Sequence, residues 1–140
     1  MIALLYSSMR ILISWPERAS FRWSDFFSLG DRTRLRLLNL MREGELCVCS
    51  FVEVLGLPQP KISRHLAYLR GAGVVAARRE GKWMHYRITM PPDAGAAKIL
   101  RQTLAALGED KSMRADRARL EKACCLLEER GAPGLVRRAG

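Results

Sequence analysis

What the chain lacks narrows its function first. No C-x-x-C pair occurs among its four cysteines, which removes a thioredoxin-like dithiol. They stand instead as C-x-C (Cys47, Cys49) and as an adjacent pair (Cys124, Cys125), and adjacent cysteines rarely close a relaxed disulfide. A secreted disulfide scaffold is therefore not expected, and all four read as thiols of a cytoplasmic protein. Histidine is scarce too: only His65 and His85 are present. There is no glycine loop to cradle a phosphate and no cysteine beside an obvious base, so the chain is not read as an enzyme. No apolar run is long enough to span a bilayer. The opening "MIALLYSSMRILISW" is broken by Arg10 and lacks a basic n-region and a small-residue cleavage site, so it is not a signal peptide. Residues 1–20 read as a poorly ordered N-terminal extension, or as the product of an upstream start with Met9 as the alternative.

Acids are the other shortage. Fourteen Asp and Glu stand against 24 Lys and Arg, for a formal net charge of +10 and a pI near 10.2. That balance calls for a polyanionic partner, nucleic acid first and an anionic membrane second. The excess is not spread evenly. Residues 59–89 carry seven basic side chains (Lys61, Arg64, Arg70, Arg78, Arg79, Lys82, Arg87) and one acid, Glu80. With 140 residues, 49% of them hydrophobic, the chain is long enough for one domain with a real apolar core.

The pattern of breaks and apolar spacing predicts the elements. A helix is expected over 22–29. Asp31 caps a second one, with Leu37, Leu38 and Met41 at helical spacing and Gly44 ending it. Ser50 and Glu53 form an S-x-x-E capping box, which starts a third helix at about residue 51; Gly56 stops it. After the turn Leu57-Pro58-Gln59, Pro60 suits the first position of a fourth helix, whose stripe is Ile62, Leu66 and Leu69. Runs 74–79 and 83–89 flank Glu80-Gly81-Lys82 as a β-hairpin. In the second run Met84, Tyr86 and Ile88 share one face, and Trp83, His85 and Arg87 the other. Ala97, Leu100, Leu104 and Leu107 make a narrow seam for helix-on-helix packing, the expected dimer element, either alone or together with the first helix. A last helix over 112–130 aligns Met113, Leu120, Cys124 and Leu127, and the tail "GAPGLVRRAG" reads as loose.

Two short helices joined by a tight turn and followed by a basic hairpin spell a winged helix-turn-helix: mainly α with a small β-hairpin (α+β), and homodimeric because one such unit reads only a half-site. The expected organisation is an extension at 1–20, the DNA-binding domain at 21–108, and a C-terminal helix and tail at 109–140. If Ile62, Leu66 and Leu69 face inward, then Gln59, Lys61, Ser63 and Arg64 face a major groove. Gln suits adenine and Arg guanine, while Lys and Ser more often hold phosphates. Arg78, Arg79 and Lys82 flank the hairpin turn, placed for phosphates or a minor groove. His65 reads either as a DNA contact or as flank packing, and His85 as support for the hairpin rather than a metal ligand.

The stretch "LGDRTRLRLLNLMREGELCVCSFVEVLGLPQPKISRHLAYLRGAGVV", followed by "RREGKWMHYRI", resembles the ArsR/SmtB family of winged-helix metalloregulatory repressors over roughly residues 25–90. Within that family, E-L-C-V-C marks the arsenic-responsive ArsR type. The resemblance implies a homodimeric repressor of an arsenic-detoxification operon. It would sit on an inverted-repeat operator in double-stranded DNA and leave when As(III) or Sb(III) binds the cysteines as inducer, with no constitutive cofactor. It implies Cys47 and Cys49 as metalloid ligands, Gln59 to His65 as the recognition helix and Arg78 to Lys82 as the wing. Some relatives carry a third cysteine three residues after the second; here that position is Val52.

The residues themselves suit a soft ion. In an extended lead-in, alternate side chains share a face, so Leu46 and Val48 would point to the core and Cys47 and Cys49 together to the other side. A following helix N-terminus would lower the thiol pKa. Thiolate pairs select soft ions over hard ones. Trivalent arsenic favours three sulfurs. The third would come from Cys124 or Cys125 of either subunit, or from a solvent thiol. A two-thiol site would instead suit a monomethylated arsenical, and the C-terminal pair would then be a separate site or ordinary core. Two further readings stand beside this one: a repressor sensing Cd, Pb, Zn or thiol redox state, and, in a different class, a small thiol enzyme or metallochaperone.

Overall fold

The computed structural model describes residues 28–129, 131, 136 and 137. The extension at 1–20 and most of the helix expected over 22–29 lie outside them; residues 28–30 form a single 3-10 turn. Helix α1 (Arg32–Leu40) starts where the sequence places it. The Asp31 carboxylate accepts from the Arg34 amide at 3.0 Å, satisfying one of the donors a helix N-terminus leaves open. A 3-10 turn, Met41–Glu43, then leads into strand β1 (Gly44–Cys47).

Helix α2 (Val48–Leu55) follows β1 without a linker, and here the sequence reading is corrected. The helix begins three residues before the expected start at residue 51. Cys47 occupies the capping position in extended geometry, with no side-chain cap, and Ser50 lies inside the first turn, buried, its hydroxyl without a partner. The strand decides this: β1 stays paired through Cys47, and the chain coils as soon as that pairing ends. Gly56, at φ +64, closes α2 with its amide on Val52 O, a left-handed position that favours glycine.

Helix α3 (Gln59–Gly71) follows a three-residue turn, with Pro60 at its second rather than first position. Ile62, Leu66 and Leu69 are fully buried, as their spacing requires. Strands β2 (Val75–Glu80) and β3 (Trp83–Ile88) form the hairpin around Gly81-Lys82. Gly81 takes φ +57 at the first position of this two-residue loop, which suits the twist of the flanking strands.

The sheet is larger than a hairpin. Its order is β2-β3-β1-β4, where β4 is Val136–Arg137, so part of the tail expected to be loose is an edge strand. β1 pairs antiparallel with β3, Leu46 facing Tyr86 and Cys47 facing His85. His85 is thereby 1% exposed, while Arg87 on the same face stays exposed. Phe51 of α2 meets Tyr86 edge to face at 6.4 Å, which fixes the helix to the sheet.

Helix α4 (Ala94–Glu109), capped by Asp93 on the Ala96 amide, turns its predicted seam inward. Ala97, Leu100 and Leu107 are buried within the chain itself and Leu104 is half-buried, so this stripe packs inward in the single subunit. Ile99, at the exposed side of α4, is uncovered instead. Helix α5 (Lys111–Glu129) packs on α1 and α2 and completes the core with Leu120, Ala123 and Cys124. Arg36 of α1 forks onto Asp116 of α5 at 2.6 and 2.9 Å, and Asn39 donates to Met113 O at 2.8 Å. No described helix is long and apolar enough to cross a membrane.

Candidate DNA interface and thiol site

The turn between α2 and α3 leaves the N-terminal end of α3 standing free. Gln59, Lys61 and Arg64 are exposed there and Ser63 is half-buried, opposite the buried stripe. His65 leans on the flank: its Nδ1 lies 3.9 Å from the Asp31 carboxylate and its side chain is 17% exposed. The sequence reading missed Tyr68, 48% exposed on the same helix, with the Arg34 guanidinium 4.3 Å above its ring. Its i+4 spacing from Arg64 was the available signal. At the wing tip Lys82 is exposed, its ammonium 5.0 Å from the Trp83 ring, and Arg79 donates to Gly81 O at 2.7 Å.

Arg78 is held differently from its neighbours. Its guanidinium reaches back across the sheet to Glu45 of β1, with Nε and Nη2 at 2.6 and 2.5 Å from Oε1, and Nη1 meets Glu80 at 3.0 Å. A phosphate at Arg78 would compete with two carboxylates.

The thiols sit where β1 becomes α2. Cys47 is fully buried at the junction; Cys49, at the second helical residue, is half-buried. They are free thiols, and their side chains lie within hydrogen-bonding reach of each other. The two do not project together from an extended segment, because the chain is already helical at Val48. The expected pKa direction is also overturned. Burial, with hydrogen bonding to Cys49 added, pushes the Cys47 thiol up to about 12. Desolvation of the anion outweighs the attraction of the helix end. A ligand at Cys47 must therefore displace the proton, which a thiophilic ion does and a hard cation does not.

His85 stands directly across from Cys47, its Nδ1 3.8 Å from Glu45 and its Nε2 3.5 Å from Glu80, with neither nitrogen in a hydrogen bond. Burial and the Arg78 charge hold it below the ordinary imidazole pKa, against the pull of the two carboxylates. Cys124 is buried on α5, the helix that packs on α2. The Cys125 side chain lies outside the described structure. Among the described residues no three His, Cys, Asp or Glu side chains converge to hold a metal ion.

Known regulatory proteins resemble this stretch of the chain. The profile of bacterial regulatory proteins of the arsR family matches residues 31–77. The arsenical resistance operon repressor of Escherichia coli (strain K12) is 51% identical over 76 residues, which cover 54% of this chain and 65% of that protein. The chain thus spans just under two thirds of that repressor's length. An arsenic resistance transcriptional regulator of Pseudomonas putida is 45% identical over 82 residues, 58% of this chain and 71% of that protein. Among solved structures, the AntR antimony-specific transcriptional repressor matches at 30% identity and a TM-score of 0.48, over 69% of this chain and 91% of that one. These relatives are regulators of transcription, not enzymes. A winged helix-turn-helix of this sequence belongs to the ArsR family of bacterial regulatory proteins.

Proposed function

We propose that the chain is a repressor that binds an inverted-repeat operator as a homodimer and releases it when Cys47 and Cys49 take up As(III) or Sb(III). One observation carries this reading: the two adjacent thiols occupy the junction between the strand that pairs with the wing and the helix that supports α3. The names of the relatives support the metalloid. Cys47 cannot reach an ion from its buried position without opening that junction. Ion binding therefore favours a conformation in which β1 and the first turn of α2 have moved, and a two-state shift of this kind is what couples two sites. The pair supplies two sulfurs, the number a monomethylated trivalent arsenical accepts. The inorganic ion takes its third from Cys124 or Cys125 of either subunit, or from a solvent thiol.

Gln59, Lys61, Ser63 and Arg64 read the major groove, with His65 at the helix flank, and Arg79 and Lys82 grip the neighbouring backbone. Measured by fluorescence anisotropy on an operator fragment, Arg64→Ala loses about 1–3 kcal/mol and relaxes base preference at one position. Lys82→Ala weakens all sequences alike and lowers the salt slope by about one. Equal losses on operator and random DNA for Arg64→Ala would remove it from base readout. The dimer face is the outer side of α4. Ile99 and Met90 are two of the three large apolar side chains exposed among the described residues, and Thr103 and Ala106 continue the Ile99 stripe. Ile99→Glu gives a monomer in sedimentation and loses operator binding, since one subunit covers one half-site. A dimer that survives this change uses another face.

A further inference from the structure

We propose that the Glu45–Arg78 bridge is a positioning element that ties the thiol strand to the wing, so that displacement of Cys47 is felt at the DNA-contacting hairpin. The proposal rests on metalloid-triggered release as read above, and names residues that reading does not need.

The sheet order sets the problem. β3 lies between β1 and β2, so the thiol strand and the outer wing strand share no backbone hydrogen bond. Cys47, His85 and Arg78 form one cross-strand row, each opposite the next. Neighbouring strands are about 4.8 Å apart, so β1 and β2 are separated by about 10 Å, a gap only a long side chain crosses. Arg78 crosses it. It passes to Glu45, two residues before Cys47 on the same face of β1, and both Nε and Nη2 contact one carboxylate oxygen. The Glu45 side chain is 11% exposed but that of Arg78 is 45% exposed, so solvent screens the pair from the Arg78 side and its role is geometric more than energetic. Beneath the bridge lies His85, 1% exposed, making no hydrogen bond of its own that would link the strands. The direct polar tie between β1 and β2 at this row is therefore the Arg78 guanidinium.

The consequence is mechanical. A backbone ladder of two residue pairs holds β1 to β3. When Cys47 leaves its buried place, Glu45 moves with it, because both belong to one four-residue strand. Arg78 then loses its partner in β1, and the wing strand is released from the arrangement that presents Arg79 and Lys82. With the bridge removed beforehand, the wing no longer distinguishes the two states of β1, and the ratio between operator affinities without and with arsenite shrinks.

The test uses Glu45→Gln, which cuts the ion pair and leaves Arg78 its charge, and Arg78→Lys, which keeps the charge but loses the fork. Three quantities are measured for wild type and both variants: arsenite binding, operator affinity with and without arsenite, and amide hydrogen exchange over residues 79–83. The expected result is unchanged arsenite stoichiometry, a release ratio reduced roughly 2- to 30-fold, and faster wing exchange in both variants. Wild-type release with an equal ratio in both variants overturns the proposal. If wild type does not release at all, the functional reading fails, and wing exchange still decides the bridge: faster exchange in the variants supports it and unchanged exchange overturns it. Should Glu45→Gln fail to fold, Arg78→Lys, altered at a half-exposed side chain, decides the bridge by the same readouts.

Discussion

Replacing Cys47 and Cys49 together with serine should leave operator binding intact and abolish the proposed release by arsenite. The release lost is large: a 100- to 1000-fold weakening of operator affinity corresponds to about 3–4 kcal/mol of coupling. Serine is close to cysteine in size but is a hard ligand, so it withdraws the affinity for a soft ion. The structure adds a cost that the spacing alone did not suggest. Cys47 is fully buried, and a hydroxyl there without a partner costs about 1–3 kcal/mol of stability. Thermal melting should therefore show a lower midpoint for the double variant. Cys49→Ser alone, at a half-buried side chain, should lose release with a smaller stability cost. Operator anisotropy under arsenite titration checks the point, and a double variant that still lets go of DNA places the sensing site elsewhere.

Asp116→Ala should be the most damaging single change to the fold. The Asp116 side chain is 2% exposed and accepts both arms of Arg36, with Arg119 contributing a third contact. Truncating one partner of a buried pair leaves the other uncompensated and costs about 3–5 kcal/mol. It also detaches α5 from α1 beside the Asn39–Met113 contact. Urea unfolding measures the loss, and a change below about 1 kcal/mol would mean that Arg36 finds water as readily as it found the carboxylate. The pH dependence follows from the same pair. Burial opposes ionisation of Asp116, but the hydrogen bonds from Arg36 and Arg119 outweigh it and hold the carboxyl below its ordinary value. A depressed folded-state pKa gives stability that is fully present above the unfolded value near 3.9 and is lost as pH falls through the folded one. Acid unfolding of Asp116→Ala should thus be flatter below about pH 4 than that of wild type.

Local chemistry made much of the chain legible. Asp31 capped its helix, Ile62, Leu66 and Leu69 fell inward, and Glu80-Gly81-Lys82 marked the hairpin because glycine relieves the turn. These are decisions taken within a few residues, where propensity and periodicity act. The exposed row Gln59, Lys61 and Arg64 followed from the buried one by geometry alone.

The third strand explains what local reading could not. Ser50 and Glu53 form a good capping box in isolation, yet β1 pairs with β3 and starts α2 at Val48. His85, read as support for the hairpin, is covered by that same third strand and the Glu45–Arg78 pair. Of the Ala97–Leu107 seam, Leu100 joins the core of its own chain and Leu104 packs against it.

The amino-acid order by itself determined a basic helix-turn-helix with a wing and a C-x-C beside it, because each of these is written in contiguous residues. Only the tertiary structure decided that Cys47 is buried and protonated, that it faces His85, and that Arg78 spans the sheet to Glu45. Those facts depend on strands brought together from positions about forty residues apart in the chain, and pairing across that distance leaves no local trace in composition or period.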